Sequence, residues 1–290
     1  MGKLDEALKK ANINNLETIS RLKDIDSESS YKPSPHTRQP TDSDPATKFN
    51  LKAYPKNKYE ERVERSVDFR LVVYRNPQSL PAEHFKVLRS AIMYPRDGKK
   101  IKSVLVTSAL ENEGKTMVAC NLAVSIAQSV DPYVLLIDGD VRRPSVQKML
   151  GLERAAGLTD YLLSGKSLSH FLMKGILDKM TVLQAGSLVK NPAELITSEK
   201  MHQLLEEATN RYADRLIIID SPPVNLAAET LVLAKQVDVV ILVVRYGVSD
   251  KTAVEDALNK LSKEKILGVV FNGFEVTPRK YTYYKSKYYY

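Results

Sequence analysis

The sequence predicts a doubly wound α/β domain, with a mostly parallel sheet between layers of helices, from about residue 68 to 276. Near-continuous runs of Val, Ile and Leu recur along this stretch, as expected for strands that are buried on both faces of a parallel sheet. Segments of helical character separate the runs, and this alternation is typical of βαβ units. The 43% hydrophobic content of the 290 residues is enough for a substantial core.

The predicted strands lie, in chain order, in the apolar runs IKSVLVTSA, YVLLIDGD, TVLQAG, RLIIIDSPP, VDVVILVVR and ILGVVFNGF. A helix is expected from Lys115, directly after the first run, and mixed helices follow the second run. Several runs end in polar side chains. In an open α/β sheet the carboxyl ends of neighbouring strands line the ligand crevice, so these strand ends are where a site is expected.

The two ends of the sequence differ from the predicted domain. Residues 1–25 show apolar side chains at helical spacing, which predicts short amphipathic helices that act as a docking element. Residues 26–67 are rich in Ser, Pro, Asp, Thr and Lys and predict a flexible linker. Residues 277–290 form a tyrosine-rich tail, which by itself could be a phosphate acceptor, an aggregation-prone terminus or a basic aromatic patch that stacks on nucleic acid.

A phosphate-binding loop follows the first strand. Residues 109–116 read ALENEGKT and have P-loop spacing between a strand and a helix, although Ala109 replaces the first glycine of the strict pattern. Successive amides cradle phosphate oxygens, Lys115 neutralises their charge and the Thr116 hydroxyl can hold Mg²⁺. The residues predicted to bind the nucleotide here are Glu113, Gly114, Lys115, Thr116 and Met117.

Three acidic residues end two of the buried strands. Asp138 and Asp140 follow YVLLI, and Asp220 follows RLIII, so they should converge beside the P-loop. Asp220 and Asp138, with Thr116, are predicted to hold Mg²⁺, and Asp138 can also orient or deprotonate an attacking hydroxyl. Asp140 and Arg142 complete the predicted catalytic set with Lys115. The alternative is that the acids are strand-end caps or surface turns.

With these motifs in this order, the chain resembles the bacterial tyrosine autokinases (BY-kinases), which carry Walker A, A′ and B motifs and end in a tyrosine cluster. The A′ pattern D-x-D-x-R is met by Asp138, Asp140 and Arg142, and the pattern D-x-P-P by residues 220–223. The resemblance extends from about Leu71 to the C-terminus. It implies that Mg-ATP donates its γ-phosphoryl group, between subunits of a ring, to the tail tyrosines Tyr281, Tyr283, Tyr284, Tyr288, Tyr289 and Tyr290.

The same family uses an E-x-x-R-x-x-R helix for ring assembly. Glu83, Lys86 and Arg89 occupy these positions here, and lysine in place of the first arginine could weaken a fork-like contact to a carboxylate. The opening MGKLDEALKKA resembles a subgroup of separate cytoplasmic kinases from exopolysaccharide loci. The resemblance therefore implies a membrane-embedded polysaccharide chain-length determinant as activator, with the kinase at the inner face of the membrane through that partner.

Other function classes are compatible with parts of the sequence. A MinD/ParA-like ATPase without kinase activity shares the P-loop architecture, but such proteins use an extra lysine in the loop where this chain has Leu110. An iron–sulfur carrier needs paired cysteines, and Cys120 is the single cysteine. A third class is an adaptor that another kinase modifies.

Charge and one asparagine complete the expectations. The net charge of +8 is modest for this length, and no nucleic-acid partner is expected. Asn272, after the last apolar run, is predicted to contact adenine, and the alternative is that it closes a turn beside Gly273.

Overall fold

A computed structural model of the chain describes residues 66–211 and 214–274. The predicted docking helices, the linker up to residue 65 and the tyrosine-rich tail lie outside the described residues. Val67 belongs to the predicted linker, but its side chain is only 2% exposed and packs in the core. The hydrophobic core therefore includes a residue just before the predicted start of the domain.

The described residues form a seven-stranded sheet whose spatial order is β3-β4-β2-β5-β1-β6-β7. Each neighbouring pair is parallel except β3 and β4. This confirms the prediction of a doubly wound, mostly parallel α/β sheet. The strands are β1 (Ser103–Ser108), β2 (Tyr133–Asp138), β3 (Leu172–Lys174), β4 (Met180–Leu183), β5 (Arg215–Asp220), β6 (Val239–Arg245) and β7 (Ile266–Asn272).

The antiparallel edge strand β3 is the element that the apolar runs did not predict. It is three residues long and none of its side chains is fully buried, so it produces no continuous apolar run. The helices are α1 (Val72–Arg75), α2 (Leu80–Met93), α3 (Lys115–Ala127), α4 (Val146–Leu150), α5 (Leu158–Leu163), α6 (Pro192–Ile196), α7 (Glu199–Arg211), α8 (Ala228–Gln236) and α9 (Lys251–Lys260).

Two hydrophobic clusters cover the two faces of the sheet. Successive side chains of a strand point to opposite faces, so Val104 and Val106 pack with helices α1 to α4, while Leu105 packs with helices α5 to α9. Both faces of the central strands are buried, which explains why the strand sequences are apolar throughout instead of alternating. Within residues 66–211 and 214–274, no helix has the length and hydrophobicity needed to cross a membrane.

The strand order determines where the site lies. Strand β5 runs between β1 and β2, so Asp220 at its end is flanked by the P-loop on one side and by Asp138 on the other. Asp138 and Asp220 are directly opposite each other in the register of the two strands. The predicted convergence of the strand-end acids is therefore a consequence of this order.

Candidate active site

The P-loop connects β1 to α3, and its glycine has an unusual backbone conformation. Gly114, which precedes α3, adopts a left-handed φ of 95°. A Cβ atom at this position would lie 2.0 Å from Nδ2 of Asn272. That amide nitrogen donates a hydrogen bond of 2.9 Å to the carbonyl of Glu113. Asn272 thus braces the loop, and its contact with adenine stays a prediction.

The side chain of Glu113 also closes the loop. Its Oε2 accepts a 2.9 Å hydrogen bond from the amide of Leu110, and its Oε1 accepts one from the hydroxyl of Ser249. The Glu113 side chain is buried, so its predicted contact with the nucleotide would have to come from its backbone amide. Met117 lies half-buried in the first turn of α3, and its carbonyl accepts from Nδ2 of Asn121 at 2.9 Å.

Lys115 lies among the three strand-end acids. Its Nζ is 2.8 Å from Oδ2 of Asp140, and the side chains of both residues are largely buried. Burial by itself would lower the pKa of Lys115, but Asp220, Asp140 and Asp138 outweigh burial, and the net effect is a raised pKa. Lys115 is therefore held as a cation at the place where phosphate charge would have to be neutralised.

Asp138 and Asp220 each have one satisfied and one unsatisfied carboxylate oxygen. Oδ2 of Asp138 accepts from the amides of Ser145 and Val146, each at 3.1 Å, and Oδ2 of Asp220 accepts from the Thr116 hydroxyl at 2.6 Å. Both Oδ1 atoms are buried, and the described residues offer neither of them a hydrogen-bond partner.

Burial and mutual repulsion make these two carboxyls hard to ionise. Burial, the charge of Asp220 and that of Asp140 raise the pKa of Asp138 well above its usual range. Burial likewise raises the pKa of Asp220 to about 7, although Lys115 and the Thr116 hydroxyl lower it. A cation bound between these two buried carboxylates would stabilise their charged forms, and their free lone pairs could coordinate it.

This donor set fits Mg²⁺. The ion prefers oxygen ligands and is usually held by one or two carboxylates together with substrate phosphates and water. Two carboxylate oxygens, Oδ1 of Asp138 and Oδ1 of Asp220, and the Thr116 hydroxyl oxygen can act as the protein ligands. No group of three or more His, Cys, Asp or Glu side chains that could hold a metal occurs in the parts of the chain that the structure covers.

Similarity to known proteins identifies the family. Residues 100–281 match the ParA family model, described as NUBPL iron-transfer P-loop NTPase. The chain is 34% identical to the tyrosine-protein kinase YwqD of Bacillus subtilis (strain 168) over 229 residues, which cover 78% of this chain and 94% of that protein. The chain belongs to the bacterial tyrosine-protein kinases.

Solved structures agree with this assignment. The chimerical protein CapA2B2 aligns with a TM-score of 0.66 at 30% identity, covering 75% of this tyrosine kinase and 100% of that chain. The kinase domain of the Escherichia coli tyrosine kinase ETK aligns with a TM-score of 0.64 at 26% identity, covering 75% and 89% of the two chains. The ParA match confirms the predicted P-loop NTPase architecture of this chain.

The iron-transfer description of the matched model does not carry over to the cysteine of this tyrosine kinase. Cys120 is fully buried in α3. Burial, together with the nearby charges of Asp220 and Asp138, raises the pKa of its thiol well above the usual range. A buried, protonated thiol is a poor metal ligand because the thiolate is the form that binds.

Arg142 of the tyrosine kinase has a partner that the motifs did not reveal. Its Nε lies 2.7 Å from Oε1 of Glu229, whose side chain is only 2% exposed at the start of α8. Glu229 contacts the guanidinium at Nε. Because the Arg142 side chain is 47% exposed, the guanidinium remains accessible to solvent. The neighbouring Arg143 pairs instead with Glu111 of the P-loop.

The predicted assembly residues of this tyrosine kinase lie on α2 and bond within the chain. Lys86 Nζ is 2.6 Å from Oε1 of Glu83, and Nη1 of Arg89 donates a 2.6 Å hydrogen bond to the carbonyl of Ser125 in α3. Their role in ring assembly stays a prediction. The six tail tyrosines lie outside the described residues, and their role also stays a prediction.

Proposed function

We propose that this tyrosine kinase is an autokinase that transfers the γ-phosphoryl group of Mg-ATP to the tail tyrosines of a neighbouring subunit. The observation that carries the proposal is the convergence of Lys115, Thr116, Asp138 and Asp220 at one edge of the sheet. These side chains supply what phosphoryl transfer requires, namely a cation for phosphate charge, ligands for Mg²⁺ and a carboxylate beside them. The acceptors are Tyr281, Tyr283, Tyr284, Tyr288, Tyr289 and Tyr290.

The site residues have distinct tasks in the proposed reaction, and Asp138 has two of them. The amides of the P-loop and Lys115 bind the phosphates, while Thr116, Asp220 and Asp138 hold Mg²⁺, which neutralises phosphate charge when bound. Asp138 orients the tyrosine hydroxyl and accepts its proton. As the phenolic oxygen bonds to the γ phosphorus, the bond from phosphorus to the bridging oxygen breaks and ADP leaves. Arg142 binds phosphate or acceptor, and Asp140 keeps Lys115 in position.

Transfer between subunits is supported by the length and charge of the tail. Ten extended residues span about 33 Å, which is enough to reach a neighbouring crevice. The tail also carries the cations Arg279, Lys280, Lys285 and Lys287, so phosphorylation of several tyrosines would reverse its charge. This reversal separates subunits that a tail-in-site contact had joined, and a fully phosphorylated protein that stays assembled at the same concentration would contradict it.

The biological setting follows from the resemblance in motifs and tail. The kinase acts in the cytoplasm as a ring of identical subunits joined through Glu83, Lys86 and Arg89, and it regulates the chain length and export of an exopolysaccharide. Its activator is a membrane-embedded chain-length determinant, which holds it at the inner face of the membrane.

Mixing two inactive variants tests the proposal. Lys115→Met keeps the tail, whereas a variant with all six tail tyrosines changed to Phe keeps the site. Neither should form tail phosphotyrosine alone with Mg-ATP, and the mixture should phosphorylate the tail of Lys115→Met, as detected by mass spectrometry. A wild-type protein that phosphorylates itself beside a silent mixture would show transfer within one subunit.

The same assay separates the kinase from an ATPase switch. Release of phosphate by the wild-type protein without phosphotyrosine would favour a MinD/ParA-like ATPase. Tail phosphorylation of Lys115→Met alone would point to a contaminating kinase and to the adaptor class.

A further inference from the structure

We infer that Ser145 is a positioning residue for the metal site, because it contacts two of the three protein groups that can hold Mg²⁺. The inference rests on the Mg-nucleotide binding of the proposed function. Ser145 lies between the A′ motif and helix α4, and no motif singled it out. Its hydroxyl donates a 2.9 Å hydrogen bond to Oγ1 of Thr116, and its amide donates one of 3.1 Å to Oδ2 of Asp138.

The first contact fixes the lone pairs of Thr116. A threonine hydroxyl has one proton to donate and two lone pairs. The proton is donated to Oδ2 of Asp220 at 2.6 Å, and one lone pair accepts the proton of Ser145. One lone pair remains, and its direction is set by the two bonds already made. Ser145 thereby orients the Thr116 oxygen as a ligand.

The second contact fixes the rotation of the Asp138 carboxylate. The amides of Ser145 and Val146 both donate to Oδ2, so this oxygen is occupied and Oδ1 is the one left without a partner. The same short segment thus decides which oxygen of Asp138 is available and which lone pair of Thr116 is available. These groups come from different strands and loops, and Ser145 couples them.

The usual structural role of a serine at this position is absent. Ser145 occupies the N-cap of α4, where a serine side chain normally accepts a hydrogen bond from a backbone amide of the first turn. Its side chain makes no such capping bond and is turned toward Thr116 instead. The Ser145 hydroxyl bonds a candidate metal ligand in place of a helix amide. This choice of partner indicates a role in the site and not in capping the helix.

Two substitutions at Ser145 isolate the hydroxyl. Ser145→Ala removes the bond to Thr116 and keeps the backbone amide on Asp138, whereas Ser145→Thr keeps both donors. Ser103→Ala is the control, because Ser103 is a serine at the opposite end of β1 whose side chain is at least as buried as that of Ser145 and whose hydroxyl also bonds a side chain, that of Asp238. This control measures what the loss of a buried hydroxyl does to the fold alone.

The measurement is the affinity for a fluorescent ADP analogue as Mg²⁺ is titrated. We expect Ser145→Ala to need about tenfold more Mg²⁺ than the wild type, because groups that orient metal ligands commonly change metal affinity by this factor. Its affinity for the analogue in EDTA should be unchanged. Ser145→Thr and Ser103→Ala should both keep the Mg²⁺ midpoint of the wild type.

Three outcomes would overturn the assignment: a wild-type Mg²⁺ midpoint for Ser145→Ala, an equal loss of affinity with and without Mg²⁺, or a wild-type protein indifferent to Mg²⁺. Failure of the proposed function looks different. A wild-type protein that binds Mg-ADP but forms no phosphotyrosine would refute the kinase proposal, and a shifted midpoint for Ser145→Ala would still support the role of Ser145.

Discussion

Aspartates at the two ends of the central strands have opposite surroundings. At the amino edge of the sheet, Asp238 precedes β6, and its Oδ2 accepts from the amide of Lys102 at 2.8 Å and from the amide and hydroxyl of Ser103 at 2.9 and 3.0 Å. At the carboxyl edge, Asp138 and Asp220 each leave a buried oxygen without a partner among the described residues. The first aspartate ties two strands together, whereas the other two are ready for a ligand.

The difference shows how a fold can keep a reactive edge and a stable edge at once. A buried carboxylate without enough partners destabilises the folded protein, because it has lost the water that solvated its charge. Two such groups, Asp138 and Asp220, lie near one lysine at the carboxyl edge, and binding of Mg²⁺ and phosphate would relieve the imbalance. Binding of Mg²⁺ and phosphate is therefore more favourable, because it relieves the electrostatic repulsion that is present in the ligand-free protein.

The largest expected effect comes from removing charge at each edge with the same substitution. Asp138→Asn and Asp220→Asn should each reduce autophosphorylation by at least about a hundredfold. They should also raise the melting temperature of the ligand-free protein in EDTA, by roughly 2–4 °C for each kcal/mol of relieved repulsion. Asp238→Asn should leave the activity in place and lower the melting temperature, since charge-assisted hydrogen bonds become neutral ones.

Calorimetry and a phosphotyrosine assay on the same samples check both signs. A lower melting temperature for Asp138→Asn and Asp220→Asn would mean that the two edges do not differ in the way described.

The next effect concerns the backbone at the reactive edge. Gly114→Ala would force a side chain into the left-handed region and displace Nδ2 of Asn272 from the P-loop. We expect kcat to fall by about a hundredfold, because small displacements of a phosphate-binding loop are costly. Gly98→Ala is the matched control: its φ of 70° is also left-handed, but nothing lies within 4 Å of the added Cβ. Steady-state kinetics of the two variants should diverge, and equal losses would contradict the packing argument.

Glu229 is an intermediate case, since one of its oxygens bonds Arg142 and the other is buried without a partner among the described residues. Glu229→Gln should loosen the orientation of Arg142. We expect kcat/KM to fall by about tenfold, because a hydrogen bond between charged groups contributes about 1.5–3 kcal/mol and the glutamine would keep a weaker bond through an uncharged oxygen. Glu229→Gln should add little loss to Arg142→Ala in a double-mutant cycle. Glu111→Gln, which breaks the exposed pair with Arg143, should have little effect. Additive losses for Glu229 and Arg142 would show that the pair does not act as a unit.

The smallest effect is a pH dependence of stability without ligand. Because the pKa of Asp220 is raised to about 7, the folded protein binds a proton that the unfolded chain releases once the pH is above the ordinary carboxyl range. Its contribution to stability is therefore greatest at low pH and is lost as the pH rises through about 7. The advantage of Asp220→Asn over the wild type should shrink by on the order of 1 kcal/mol from about pH 8 to about pH 6. Urea unfolding in EDTA measures this, and a constant difference would contradict the shifted pKa.

Much of this architecture could be predicted from local sequence. Strands β1, β2, β5, β6 and β7 lie within the predicted apolar runs, and β4 begins one residue before its run, because a strand buried on both faces must be apolar throughout. Lys115 and Thr116 could be assigned because the P-loop pattern has a strict spacing between strand and helix. The partly exposed, three-residue strand β3 gave no such pattern.

The roles of Ser145, Glu229 and Asn272 depend on contacts between distant parts of the chain. Ser145 meets Thr116 across 29 residues, Arg142 meets Glu229 across 87, and Asn272 meets Glu113 across 159. Such contacts leave no periodic signal in the sequence. Arg89 is a similar case, since its predicted assembly role did not anticipate the bond to Ser125 of the same chain.

Local sequence patterns were enough to predict the fold class, the phosphate loop and which strands end in acids, since each of these depends on residue type at short spacing. The three-dimensional packing was needed to show that β5 lies between β1 and β2, and therefore that Asp220 is opposite Asp138. The packing also fixes which carboxylate oxygens are satisfied and which are left without a partner among the described residues. The reason is that crossover connections bring distant segments together. The buried carboxylates that a cation would stabilise become neighbours only in the folded protein.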